Sequence, residues 1–138
     1  MAFTGPPEDR LAIRDLYGLY ADASTRGDPE DWLACWTQDC QWNSHLFQRS
    51  GKTELREQWD LLWANFSKLA FLSEIGAIEV EGDRAKARSV AREIVRLNNG
   101  GLYKLVGRYD DYIVRENGEW RFSRRDYQPL VEEAPEQA

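Results

Sequence analysis

The chain is predicted to adopt an α+β fold in which helices cover one face of a bent sheet. Two observations carry this. Apolar residues recur with helical spacing up to about residue 66, and long alternating segments divided by tight-turn signals fill most of the remainder. Helices first and then a meander of long strands is the order that layers helices on an antiparallel sheet.

Met1 to Pro7 is expected to be a flexible start, with Pro6 and Pro7 suited to opening a helix whose first N–H groups lack partners anyway. From Glu8, Leu11, Ile13, Leu16, Tyr17, Tyr20 and Ala23 recur on a helical stripe, and Gly27 is a plausible stop. Asp28 then reads as an N-cap for a short second helix, with Pro29 in its first turn and Asp31 at its third position. This helix should bury Trp32, Leu33 and Trp36 and end near Gln38. Cys40 to Phe47 looks extended, and Gln48 to Lys52 reads as a turn. A third helix places Leu55, Trp59, Leu62, Trp63 and Phe66 on one stripe.

Beyond Phe71 the texture changes. Ile78 and Val80 close an extended run, Glu81-Gly82-Asp83 is a turn, and Ala85, Ala87, Ser89 and Ala91 alternate with Arg84, Lys86 and Arg88. Asn98-Asn99-Gly100-Gly101 is a hairpin signal, because these residues accept positive φ cheaply. Leu102 to Arg115 is a long strand, Glu116-Asn117-Gly118 a turn, and Glu119 to Tyr127 the closing strand. The acidic end from Pro129 is expected to be a disordered tail, giving a flexible 1–7, one domain over 8–128 and a tail over 129–138. The long strand over Leu102–Arg115 carries apolar residues on both faces. One can pack on the helices and the other needs cover, so a homodimer through the outer sheet face is expected.

With 24 acidic and 18 basic residues the net charge is −6, which supplies no basic footprint for nucleic acid. No apolar run approaches the roughly 20 residues of a membrane span, and no signal peptide is evident. No membrane association is expected, and a cytoplasmic location is. Cys35 and Cys40 read as buried free thiols. One histidine and two cysteines give no metal-ligand spacing, so neither a metal nor a cofactor is expected. The six tryptophans point to an aromatic core or an aromatic-walled pocket for a hydrophobic small-molecule ligand.

The segments EDRLAIRDLYGLYADASTRGDPEDWLACWTQDCQW, IEVEGDRAKARS and VGRYDDYIVRENGEWRFSRRDY together resemble SnoaL-like proteins of the nuclear transport factor two-like superfamily, over Glu8 to Tyr127. The resemblance implies a cone-shaped, curved mixed or antiparallel sheet wrapped around the three N-terminal helices, with a pocket at the open mouth. Ketosteroid isomerases, polyketide cyclases, dehydratases and non-catalytic binding proteins share this fold, so membership alone does not fix an activity.

Tyr20, seven residues before Gly27, matches the isomerase tyrosine that donates to a developing oxyanion; otherwise it is a core aromatic. Asp111 falls near the isomerase's protonated aspartic acid, or pairs structurally with Arg108, Arg124 or Arg125. His45 and Asp22 are the candidate bases. The lyase His–Asp dyad of the family is missing, since Thr25 and Phe71-Leu72-Ser73 stand at its positions. Trp42, Tyr109, Ser24, Glu93 and Trp59 are candidate pocket residues. Glu93 faces the cone if the strand alternation continues, and Arg92 does so if a bulge intervenes. The leading expectation is a cofactor-independent isomerase, cyclase or dehydratase acting on a hydrophobic carbonyl compound. A small-molecule-binding protein and an oxygenase accessory subunit are the alternatives.

Overall fold

The computed structural model describes residues 2–135. Its elements run β1 (Phe3–Thr4), α1 (Pro7–Arg26), α2 (Pro29–Leu33), β2 (Trp36–Asn43), β3 (Gln48–Ser50), α3 (Gly51–Trp63), β4 (Phe66–Glu81), β5 (Arg84–Leu97), β6 (Leu102–Glu116) and β7 (Glu119–Glu133). One curved, unclosed mixed sheet has the order β1-β4-β5-β6-β7-β2-β3, and the three helices sit against its concave face. This is the α+β cone that the sequence predicts.

Local chemistry sets the first turn of the chain. Gly27 takes φ 68° and closes α1, where a side chain would also crowd the Trp63 ring. The Asp28 carboxylate then accepts from the Asp31 N–H at 3.1 Å and caps α2. That helix stops at Leu33, short of the expected Gln38. Trp36 pairs with Phe122 of β7 instead, and the Phe122 N–H donates to the Cys35 carbonyl at 2.8 Å. Sheet pairing and burial of the Trp36 indole override the helical pattern.

Other boundaries also move. Gln48–Ser50, expected as a turn, forms β3 against β2. Phe66 opens β4 rather than closing α3, and Leu62 is exposed. Phe3–Thr4, expected to be flexible, pairs in parallel with Ile78–Glu79. The expected tail beginning at Pro129 is corrected as well: β7 continues to Glu133, paired with β6 as far as Lys104. A bulge at Leu130 lets proline sit within the strand. Residues 136–138 of that tail lie outside the described residues.

Bulges decide which side chains face inward. Gly76 is the extra residue in β4 and Ser123 the extra residue in β7. Strict alternation from Trp120 and Phe122 would turn Arg124 and Asp126 into the cone. The bulge at Ser123 shifts the phase, so Arg125 and Tyr127 point inward and Arg124 and Asp126 outward. β5 carries no bulge, and its alternation runs unbroken past Ala91: Arg92 is exposed and Glu93 faces the interior. Gly107 on β6 leaves room for the Tyr127 ring, since a Cβ there would lie 2.1 Å from the phenol oxygen.

Candidate active site

A small cavity of about 50 Å³ lies between the helices and the concave sheet. Tyr20 and Ser24 reach it from α1, Trp32 from α2, and Trp59 and Trp63 from α3. The sheet contributes Trp42, Leu69, Phe71, Glu93 and Tyr109. Larger hollows elsewhere, of about 830 and 680 Å³, contain none of Tyr20, Trp42 or Glu93. Their walls include solvent-facing strand residues such as Lys86 and Arg88. In the aromatic walls Trp32 packs edge to face on Trp42 at 5.1 Å between ring centroids and lies tilted against Trp59 at 4.8 Å.

Glu93 is the one carboxyl in this lining. Burial among aromatic rings pushes it up to about 7, against the opposing pull of Arg125. A carboxyl poised there exchanges a proton readily near neutral pH. Burial likewise raises the phenols of Tyr20 and Tyr109, so both stay protonated.

Beneath the cavity runs a second polar group. Arg125, wholly buried, donates through Nε to Asp111 Oδ1 at 2.8 Å and through Nη2 to Asp111 Oδ2 at 3.1 Å. The Tyr17 hydroxyl and the Ser89 hydroxyl also donate to Asp111 Oδ2. The guanidinium carbon lies 3.8 Å from the Tyr109 ring centroid, 4.4 Å from Phe122 and 4.5 Å from Tyr20. Burial raises the Asp111 carboxyl, while Arg125, Tyr17 and Ser89 all favour its charged form. The bidentate contact makes this an ion pair. Asp111 therefore accepts hydrogen bonds and has no proton to offer a ligand.

The structure brings Tyr20, Ser24, Trp42, Trp59, Glu93 and Tyr109 together around the cavity. It does not bring His45 or Asp22 there. His45 lies in the exposed β2–β3 connection, with Nε2 3.7 Å from a Glu132 carboxylate oxygen. Asp22 is on the exposed side of α1, bound to Arg26 at 2.9 Å. Neither lines the cavity in which the base is expected. Thr25 accepts from the Phe71 N–H at 3.1 Å, so the position of the lyase aspartate is occupied by a hydroxyl that ties α1 to β4. Sequence reasoning missed Tyr127 and the inward turn of Arg125, because the Ser123 bulge leaves no mark in the composition of β7. It named Tyr17 only as a core residue, and a partner for it on β6 is invisible to helical periodicity.

Among the described residues no group of three or more His, Cys, Asp and Glu side chains could hold a metal ion. Among the described residues no helix is long and apolar enough to cross a membrane.

Comparison with known proteins agrees with this architecture. A candidate aromatic ring hydroxylase from Novosphingobium aromaticivorans superposes with a TM-score of 0.88 at 28% identity, covering 95% of this chain and 96% of that one. A candidate scytalone dehydratase from the same species gives 0.85 at 22% identity, over 94% and 89%. The hexachlorocyclohexane dehydrochlorinase LinA-type3 from Novosphingobium barchaimii gives 0.82 at 16% identity, over 92% and 90%. The last two, at such identity, speak for the fold alone. No curated protein matches the chain. The family profile described as SnoaL-like domain matches residues 7–126, nearly the whole of the chain. The chain belongs to the SnoaL-like domain family.

Proposed function

We propose that the protein is a cofactor-independent enzyme that moves a proton on a small hydrophobic carbonyl compound, with Glu93 as the acid–base group. The observation that carries this reading is a single carboxyl, raised to about 7 by burial, in an otherwise aromatic cavity. Glu93 takes the place assigned at first to His45 and Asp22. Tyr20 and Tyr109 supply neutral phenols beside it.

The cavity holds little more than one water molecule, whose share of liquid volume is about 30 Å³. Trp63 and Leu69 line it and are only half-buried, so they stand on the side from which a substrate would enter. The small, tryptophan-lined cavity favours a second reading, a small-molecule-binding protein in which Glu93 orients the ligand. The first test is a tryptophan-fluorescence titration. Trp32, Trp42 and Trp59 share the cavity with Glu93, so the wild type should show a step near pH 7 that Glu93→Gln lacks. The same profile in both proteins would sink the acid–base reading.

The outer sheet face carries a cross-strand row of Leu72, Arg92, Val106 and Val131, with Val90 beside it, and Leu72, Val90 and Val131 are exposed. A second copy of the chain covering this row is the partner proposed here. Sedimentation should give a dimer for the wild type and a monomer for Leu72→Glu/Val131→Glu; a wild-type monomer at micromolar concentration would refute it.

A further inference from the structure

The fold already holds one cation among aromatic rings. The Arg125 guanidinium carbon lies within 4.5 Å of the ring centroids of Tyr109, Phe122 and Tyr20, and the Asp111 carboxylate supplies its counter-charge. The cavity shares Tyr20 and Tyr109 with this arrangement and repeats its two ingredients, aromatic rings and one carboxyl, without the cation. Arg115 stacks on Trp120 at 4.9 Å, but among the described residues no arginine or lysine stacks on Trp32, Trp42, Trp59 or Trp63, the four indoles of the lining. Nor does any hydrogen-bond donor hold the Glu93 carboxyl among them: burial, opposed only by the charge of Arg125, decides its ionisation.

The indoles are set at different angles around one small space. Trp42 stands at 62° to Trp32 and Trp59 at 38°, and Trp63 follows 5.6 Å from Trp59. Indole faces attract cations more strongly than phenyl or phenol faces do, and repel anions. A neutral alkyl ligand has no use for a carboxyl, and an anion meets Glu93 with like charge. Arg125 does not exclude a second cation, because both Asp111 oxygens neutralise it. A buried carboxylate without a counter-charge is unfavourable, so the empty cavity keeps Glu93 protonated up to about 7, and an arriving ammonium group takes the place of that proton. A primary ammonium offers N–H donors to the carboxylate, whereas a quaternary one offers none. With about 50 Å³ available, the chain on the nitrogen must be short.

We propose that the cavity binds a small protonated amine, its N–H groups donating to the Glu93 carboxylate and its short carbon chain lying against the indoles of Trp32, Trp42 and Trp59. This rests on the second reading above, that Glu93 orients a ligand, and names the class of that ligand.

Ethylammonium chloride is the probe, followed by tryptophan fluorescence at constant ionic strength. Sodium chloride controls for charge without N–H groups, and n-propanol for a chain without charge. Three non-hydrogen atoms limit the expected Kd to about 1 mM. At pH 8 the wild type should show saturable binding, while n-propanol should show none over the same range. Ammonium ion, which has no chain to bury, should bind about fourfold more weakly or worse. At pH 5 ethylammonium should bind about a hundredfold more weakly than at pH 8, since it must displace a proton held up to about 7. Glu93→Gln should bind it at least tenfold more weakly at pH 8, about 1.4 kcal/mol. Glutamine keeps the side-chain shape and removes a buried charge, so denaturant unfolding of the variant should show no loss of stability alongside the loss of binding. The proposal is overturned if wild type gives no saturable response up to ~100 mM ethylammonium beyond that of sodium chloride, a hundred times the expected Kd. It is equally overturned if n-propanol binds as well, or if Glu93→Gln binds ethylammonium as wild type does. Its failure is separable from that of the acid–base reading. A Glu93-dependent fluorescence step near pH 7 without amine binding would sink the amine alone, and Glu93-dependent amine binding without that step would sink the acid–base role alone.

Discussion

Replacing Glu93 with glutamine should make the protein more stable above pH 7, by roughly 2 to 3 kcal/mol, and leave it little changed below pH 4.5. Burial raises this carboxyl from 4.5 in the unfolded chain to about 7 in the folded one. Between those values the folded state binds more protons than the unfolded state, so stability falls as pH rises. The full penalty is present above the folded value and absent below the unfolded one. Glutamine keeps the shape without the charge, and all other carboxyls cancel in the difference between the two proteins. Denaturant unfolding of both at pH 4, 6 and 8 measures it. A stability difference that stays constant across this range would mean that Glu93 ionises as an ordinary surface glutamate.

The second large effect concerns Arg125 and Asp111, both wholly buried. Arg125→Met should cost about 3–5 kcal/mol, because it leaves a buried carboxylate with only hydroxyl partners. Asp111→Leu should cost a similar amount, leaving a guanidinium stacked on Tyr109, Phe122 and Tyr20 with no counter-charge. The double variant should recover most of either loss, since an apolar pair of similar volume needs no desolvation of charge. Arg125→Lys should not rescue, as an ammonium gives neither the two-pronged contact nor the flat stacking surface. Chemical denaturation of the four proteins gives the coupling directly. Strictly additive losses would show that the pair is not the unit described here.

The site is legible in the sequence only where it depends on local pattern. Tyr20, Ser24 and Trp59 fall on helical stripes, and Tyr109 follows the alternation of β6, so their meeting at one cavity follows from periodicity. Asp111 is likewise placed by alternation, but its three partners come from α1, β5 and β7, and no spacing along the chain records them. His45 matches a family position only loosely by count, and Asp22 lies one helical turn before Thr25. A count along the chain cannot tell an exposed connection or the outer side of a helix from the mouth of the cone.

What the sequence by itself determined is whatever short-range physics fixes. The Gly27-Asp28-Pro29 break between helices, the turn at Asn98–Gly101, the three helices ahead of the long strands, and hence the α+β class all rest on backbone freedom, capping and apolar period. Tertiary structure decided matters of phase and partner. The bulge at Ser123 exchanged Arg124 and Asp126 for Arg125 and Tyr127 on the inner face, whereas β5, without one, delivered Glu93. Pairing with β6 carried β7 past Pro129, and pairing with β7 drew Trp36 out of the second helix. In a strand a one-residue shift turns every later side chain to the opposite face. Whether the shift occurs depends on what the neighbouring strand and the core accept, and that information lies in residues far away along the chain.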